Sequence, residues 1–140
     1  MTALAQDRKF VSIKRVWREK RPLKAGVKTY KDALAACKAG FYQPATATTG
    51  ARIVGRFLES VDNTAGADGA QFAEVEFFQE RVCIGFVNKT GDLLTAADRE
   101  TLAYVEDDQT VRKTSAGTSA AGLVYEIEGN IVFVEVGVFA

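Results

Sequence analysis

The sequence predicts an all-β chain: a small β-barrel or sandwich-like body over residues 23–140, an extended basic N-terminal arm over residues 1–22, and at most one short helix. Three observations carry this. Short runs of β-branched and aromatic residues recur between turn signals from Ile53 to Val136. The last two runs, 123–128 and 131–136, flank Gly129-Asn130, a pair suited to a primed two-residue hairpin. Charge is segregated: residues 1–40 hold 11 lysines and arginines against 3 carboxylates, a net +8, and residues 41–140 hold 7 against 15, a net −8.

Taken in chain order, residues 8–21 mix cations with Phe10, Val11, Ile13, Val16 and Trp17. Partial period-two alternation and β-branched content favour a strand or extended arm over a helix. Pro22 breaks the run, and Lys24-Ala25-Gly26 reads as a turn. The alanine-rich stretch 31–38 scores as helix by propensity alone. Ala39-Gly40 followed by Phe41-Tyr42-Gln43-Pro44 points instead to a hairpin. Residues 45–50 form a loop of small side chains, and 53–61 a strand in which Gly55 marks a bulge. Residues 62–70 read as an exposed loop. Asp62, Asn63 and Asp68 lack EF-hand calcium spacing, and bonding to their own backbone is the simpler role.

Residues 71–77 alternate polar and apolar, as a half-buried strand does, and 78–87 continue strongly β-prone. A turn follows at 88–92. One helical turn fits within 95–102, capped by Thr95 or Asp98. Strands at 103–106 and 110–113 flank a turn at 107–109, and 115–119 is a loop before the closing hairpin.

The chain contains no histidine, which removes Ser-His-Asp and Cys-His catalysis and the usual near-neutral base. Cys37 and Cys83, far apart in apolar or small-residue runs, read as buried reduced thiols, with a disulfide between them as the alternative, and supply no zinc set. Thr48-Thr49-Gly50 and the Gly66/Gly69 pair match no phosphate-binding or dinucleotide loop. No enzyme activity, cofactor, metal ligand or catalytic residue is therefore expected. No apolar run approaches the roughly 20 residues that span a bilayer, and residues 1–7 lack the order of a signal peptide. The expected location is the cytosol until assembly.

The arm carries the candidate partner-binding residues: Arg8, Lys9, Phe10, Lys14, Arg15, Trp17, Arg18, Lys20 and Arg21. Its partner is nucleic acid, an acidic surface on another protein, or the acidic body of an identical subunit. It can equally fold onto its own body. Phe10 and Trp17 suit protein anchors, base stacking or simple core closure. The net −8 on the remainder weighs against a broad nucleic-acid groove and favours protein partners.

The stretches 59–69 (Glu59-Ser60-Val61-Asp62-Asn63-Thr64-Ala65-Gly66-Ala67-Asp68-Gly69), 103–111 (Ala103-Tyr104-Val105-Glu106-Asp107-Asp108-Gln109-Thr110-Val111), Ala121-Gly122-Leu123-Val124 and Val132-Phe133-Val134-Glu135-Val136 resemble the tailed-bacteriophage head decoration, or capsid cement, proteins. Lys24-Ala25-Gly26-Val27-Lys28 resembles the early part of that group. The resemblance covers residues 23–136 as a pattern of turns and strands, and the basic segment before it is the least matched part. It implies a β-rich body on the outer shell of the mature virion, contacting the major capsid protein, often as a homotrimer at local three-fold positions. The function it implies is cementing neighbouring capsomers, with the host cytoplasm as the location before assembly. The alternative is a small β-barrel that binds nucleic acid through the basic arm.

Overall fold

The computed structural model describes residues 17–78 and 82–136. The chain is all-β. Strands β1 (Arg18–Pro22), β2 (Leu34–Lys38), β3 (Phe41–Pro44), β4 (Arg52–Phe57) and β5 (Phe72–Phe77) form an antiparallel sheet in the order β1-β5-β4-β2-β3. Strands β6 (Val82–Asn88), β7 (Leu102–Val105), β8 (Thr110–Arg112), β9 (Ala120–Glu128) and β10 (Ile131–Val136) close into a barrel in the order β10-β6-β8-β7-β9. Its β6–β8 pair is parallel. The expected helical turn is a short 3-10 segment, Ala96–Asp98, after Thr95; the Asp98 carboxylate accepts the Thr95 N–H at 2.7 Å.

Turn chemistry sets the hairpins. Ala39 and Gly40 both have left-handed φ, 54° and 88°, as a primed turn between β2 and β3 requires. Gly129, with φ 62°, opens the turn between β9 and β10. Helix propensity in residues 31–38 is overridden because Leu34, Ala35 and Ala36 are all buried. A strand covered on both faces shows an unbroken apolar run, which by sequence looks like a buried helix.

The first sheet rolls up until its outer strands meet. Leu23 bridges to Tyr42, and the Lys24 N–H donates to the Tyr42 carbonyl at 2.9 Å. Inside the roll lie Leu23, Ala33, Ala35, Phe57, Ala73 and Val75. The outer side of the same sheet gives Leu34, Ala36 and Ile53 to the barrel core, beside Val105, Val111, Val124, Val132 and Val134. The roll and the barrel are thus packed as one body. Leu34 N–H to Asp108 O at 2.9 Å and Ser119 Oγ to Thr48 O at 2.8 Å fasten them.

Strict alternation would not fill these cores. Val54 and Phe57 pack in the roll although three residues apart. The register between β2 and β4 skips Val54, so the strand regains its phase at a bulge. β9 does the same twice: Ala121, Val124 and Ile127 all serve the barrel core, with register shifts against β7 and β10. Gly55 and Gly122 lie at these irregularities. A Cβ would meet Glu76 O at 2.0 Å at the first and Glu135 O at 2.1 Å at the second.

Several expectations change. Residues 18–22, counted with the arm, are strand β1 and a wall of the roll, so part of the arm is body. The loop 62–70 contains a buried anchor: Asn63, 1% exposed, donates to the carbonyls of Lys24 (2.9 Å) and Ala67 (3.2 Å). Asp62 does bond locally, accepting the Thr64 N–H and hydroxyl. Cys83, expected buried, is exposed because it alternates with inward Ile84 and Phe86 on β6; Cys37 is half-buried, and no disulfide joins them.

Gly55→Ala places a methyl group against backbone on a neighbouring strand, which cannot yield as a side-chain tip would. A loss above about 2 kcal/mol is expected in urea unfolding, within the range of overpacked sites. Gly117→Ala, with nothing within 4 Å but φ 72°, should cost only about 1 kcal/mol, the penalty of a left-handed residue.

Candidate interaction surface

Of the candidate arm residues, Trp17, Arg18, Lys20 and Arg21 are described; Arg8, Lys9, Phe10, Lys14 and Arg15 lie outside the described residues. The four have different surroundings. β1 runs antiparallel to β5 with Arg18 opposite Glu76 and Lys20 opposite Glu74. Cross-strand pairs of opposite charge support such a ladder. Lys20 Nζ reaches Glu59 at 2.6 Å, and the same carboxylate oxygen accepts the Glu74 N–H at 3.0 Å. These bonds, the Lys20 one first, hold the Glu59 carboxyl below its ordinary pKa.

Arg21 turns the other way. It lies opposite Ala73, whose side is the roll's interior. Its guanidinium carbon stands 5.9 Å from the Tyr42 ring centre and 5.8 Å from that of Phe77, with Glu19 at 3.3 Å. Arg21 therefore covers the roll's core where β1 and β3 diverge. Burial, followed by the neighbouring Cys37, raises the pKa of Tyr42. Trp17 remains as the outward group: its carbonyl accepts the Phe77 N–H at 2.9 Å and its residue is 67% exposed. The described residues that follow the basic segment in sequence are thus an exposed indole and the exposed Arg18.

The fold also redraws the charge map. Residues 17–78 carry nine cations and seven carboxylates, a net +2. Residues 82–136 carry four and nine, a net −5, and residues 1–16 carry four and one, a net +3. Much of the basic excess in the first 40 residues is balanced within the roll. The barrel holds the acidity.

A second surface escaped the sequence reading. On the barrel's outer side, Ile131 and Phe133 of β10 lean over Gly85 of β6: a Cβ there would lie 3.0 Å from Ile131 Cγ2 and 3.4 Å from Phe133 Cε1. Tyr125, the extra residue of the bulge against β10, is 55% exposed and Ile131 is 37% exposed. Glu126 lies opposite Phe133, and Glu128 opposite Ile131. Arg99 donates twice to Glu126, at 3.1 and 2.7 Å, holding that carboxyl below its ordinary pKa. The available signal was Ile131-Val132-Phe133-Val134. An unbroken apolar run in a barrel strand puts apolar groups outside as well as inside.

Between the roll and the barrel, Tyr30, Lys31, Asp32, Ala33, Asp108 and Gln109 line an open recess of about 360 Å³. Burial, and then Asp107 beside it, raises the Asp108 pKa. Among the described residues no group of three or more Cys, Asp or Glu side chains is placed to hold a metal ion, and no helix is long and apolar enough to cross a membrane. Comparison with family models, characterised proteins and solved structures gives no match.

A raised carboxylate pKa means that the folded state holds the proton more tightly than the unfolded chain. Ionised Asp108 therefore destabilises the fold at neutral pH, and that cost fades as pH falls through the folded pKa. Asp108→Asn keeps the carbonyl that accepts from Leu34. It should raise the urea midpoint at pH 7, with the gain vanishing near about pH 4, the unfolded value. Equal gains at both pH values would refute this assignment.

Proposed function

We propose that the chain is a structural component of a phage virion that binds the outside of the mature capsid and cements neighbouring capsomers, with a binding rather than a catalytic role. The observation that carries this reading is Trp17. It is 67% exposed and directly precedes β1, so an exposed aromatic anchor stands next in sequence to the cations Lys14, Arg15 and Arg18. Aromatic side chains and arginine are the residues that dominate protein interfaces. The likeness of residues 23–136 to capsid cement proteins supports the same reading. So does a body fitted for scaffolding: a closed barrel without free edges, and an outer β1 edge lined with charge and ended by Pro22.

The mechanism is linkage. A protein that binds the expanded lattice, and not its precursor, stabilises the expanded state by mass action. Contacts that are weak singly become strong when several are joined in one assembly, such as a homotrimer at a local three-fold position, because later contacts form at high effective concentration. The major capsid protein is the partner, and the virion surface the location, reached from the host cytoplasm.

Pelleting with isolated heads tests this. The full chain should co-sediment with expanded, undecorated heads, saturate at a fixed ratio to capsomers, and bind unexpanded heads at least tenfold more weakly. No co-sedimentation with expanded heads sinks the reading. Salt-sensitive retention on DNA without head binding would transfer the arm to nucleic acid.

A further inference from the structure

The geometry points to a contact between copies of this chain: the basic, aromatic segment 8–16 of one copy docks on the outer barrel face formed by Tyr125, Ile131 and Phe133 of another. The receiving face is apolar and rimmed by acid. Ile131 and Phe133 fill the space over Gly85, Tyr125 projects from its bulge, and Glu128 and the Arg99-paired Glu126 lie directly across the ladder from Ile131 and Phe133. The barrel that carries it has a net charge of −5. The segment offers the complement: Phe10, Val11, Ile13 and Val16 among Arg8, Lys9, Lys14 and Arg15. Apolar side chains would cover the strip while cations meet its carboxylate edge, an arrangement that selects both partner and register.

A second copy is the occupant because each copy carries both complements, a net +3 over residues 1–16 and a net −5 over residues 82–136, so copies can serve one another in turn. Tyr125 is 55% exposed and Ile131 37%. The segment adjoins Trp17 directly, and its nine residues extend to about 30 Å, enough to run along the strip and its rim. The barrel is closed, so the segment cannot join it by adding a strand. Side chains must supply the contact. Arm-to-barrel contact is heterologous: each copy uses one patch to give and a different one to receive, which builds a ring or an open chain. Head binding is not a premise of this contact, and the contact is testable with no heads present.

Two full-length variants separate the patches. Lys14→Glu with Arg15→Glu reverses the arm and leaves the face. Tyr125→Ser with Glu128→Lys spoils the face and leaves the arm. Sedimentation velocity should show the natural chain associating with concentration and dissociating in high salt, and each variant alone at least tenfold weaker in association. Mixed, the two variants should form a one-to-one complex that grows no further, because only one arm and one face remain usable. Circular dichroism melts matching the natural chain confirm that both variants fold. A Lys14→Gln, Arg15→Gln chain gives an intermediate case that adds no new charge. A natural chain that stays monomeric at high concentration overturns the proposal. So does association that either variant leaves intact, or a mixture that forms no complex. If the natural chain is monomeric and the face variant alone exposes the arm to proteolysis, the arm lies on its own barrel and the second-copy assignment fails.

Discussion

Everything in this fold depends on keeping backbone hydrogen bonds paired while short strands curl tightly. A five-stranded sheet that must roll or close bends more than a regular pleat allows. The bend is taken up at bulges, where one strand contributes an extra residue and its side chains change phase. At β4 the phase change lets Ile53 serve the barrel while Val54 and Phe57 serve the roll. At β9 it lets Ala121, Val124 and Ile127 point the same way. Gly55 and Gly122 are the counterpart on the inner side of the bend, where another strand's carbonyl occupies the volume of a Cβ. The same bulge that fills the barrel also pushes Tyr125 outward, so the exposed face and the core are consequences of one distortion.

Charge follows from that architecture. The sequence divides at residue 40 into segments of opposite sign, but the chain does not fold along that division. β1 brings Arg18 and Lys20 against Glu76 and Glu74 of β5, and Arg56 joins Glu76 to Asp32. Such surface pairs contribute little to stability, roughly 0–1 kcal/mol each. Their larger effect is bookkeeping of field: the roll becomes nearly neutral, and the acidic excess is confined to the barrel. Arg21 is the exception, since two aromatic rings and Glu19 give it a structural place over the core.

Much of this was legible in the sequence because turn residues act locally. Ala39-Gly40 and Gly129-Asn130 fix hairpins whatever lies around them, and Thr95 with Asp98 fixes the short helical turn. What was not legible depends on partners distant in the chain. The inward turn of Arg21 requires Tyr42 and Phe77. The burial of Asn63 requires the loop at Lys24. The exposure of Cys83 requires the phase of β6 within a closed barrel. The outer face at Ile131 and Phe133 was hidden by an assumption, that an apolar run belongs wholly to a core. Among the described arm residues, Trp17, Arg18 and Lys20 are exposed, and Arg21 alone is directed inward.

The placement of β1 has a mechanical consequence. Its five residues run antiparallel along β5, and the basic segment continues directly from its first residue. Tension applied through that segment pulls along the strand axis. The rungs of the ladder are then strained together, in shear, and do not open one after another as in peeling. A tether attached this way resists extraction far better than the same hydrogen bonds loaded from the other direction. Any partner that grips the segment pulls on the body through a ladder loaded in shear.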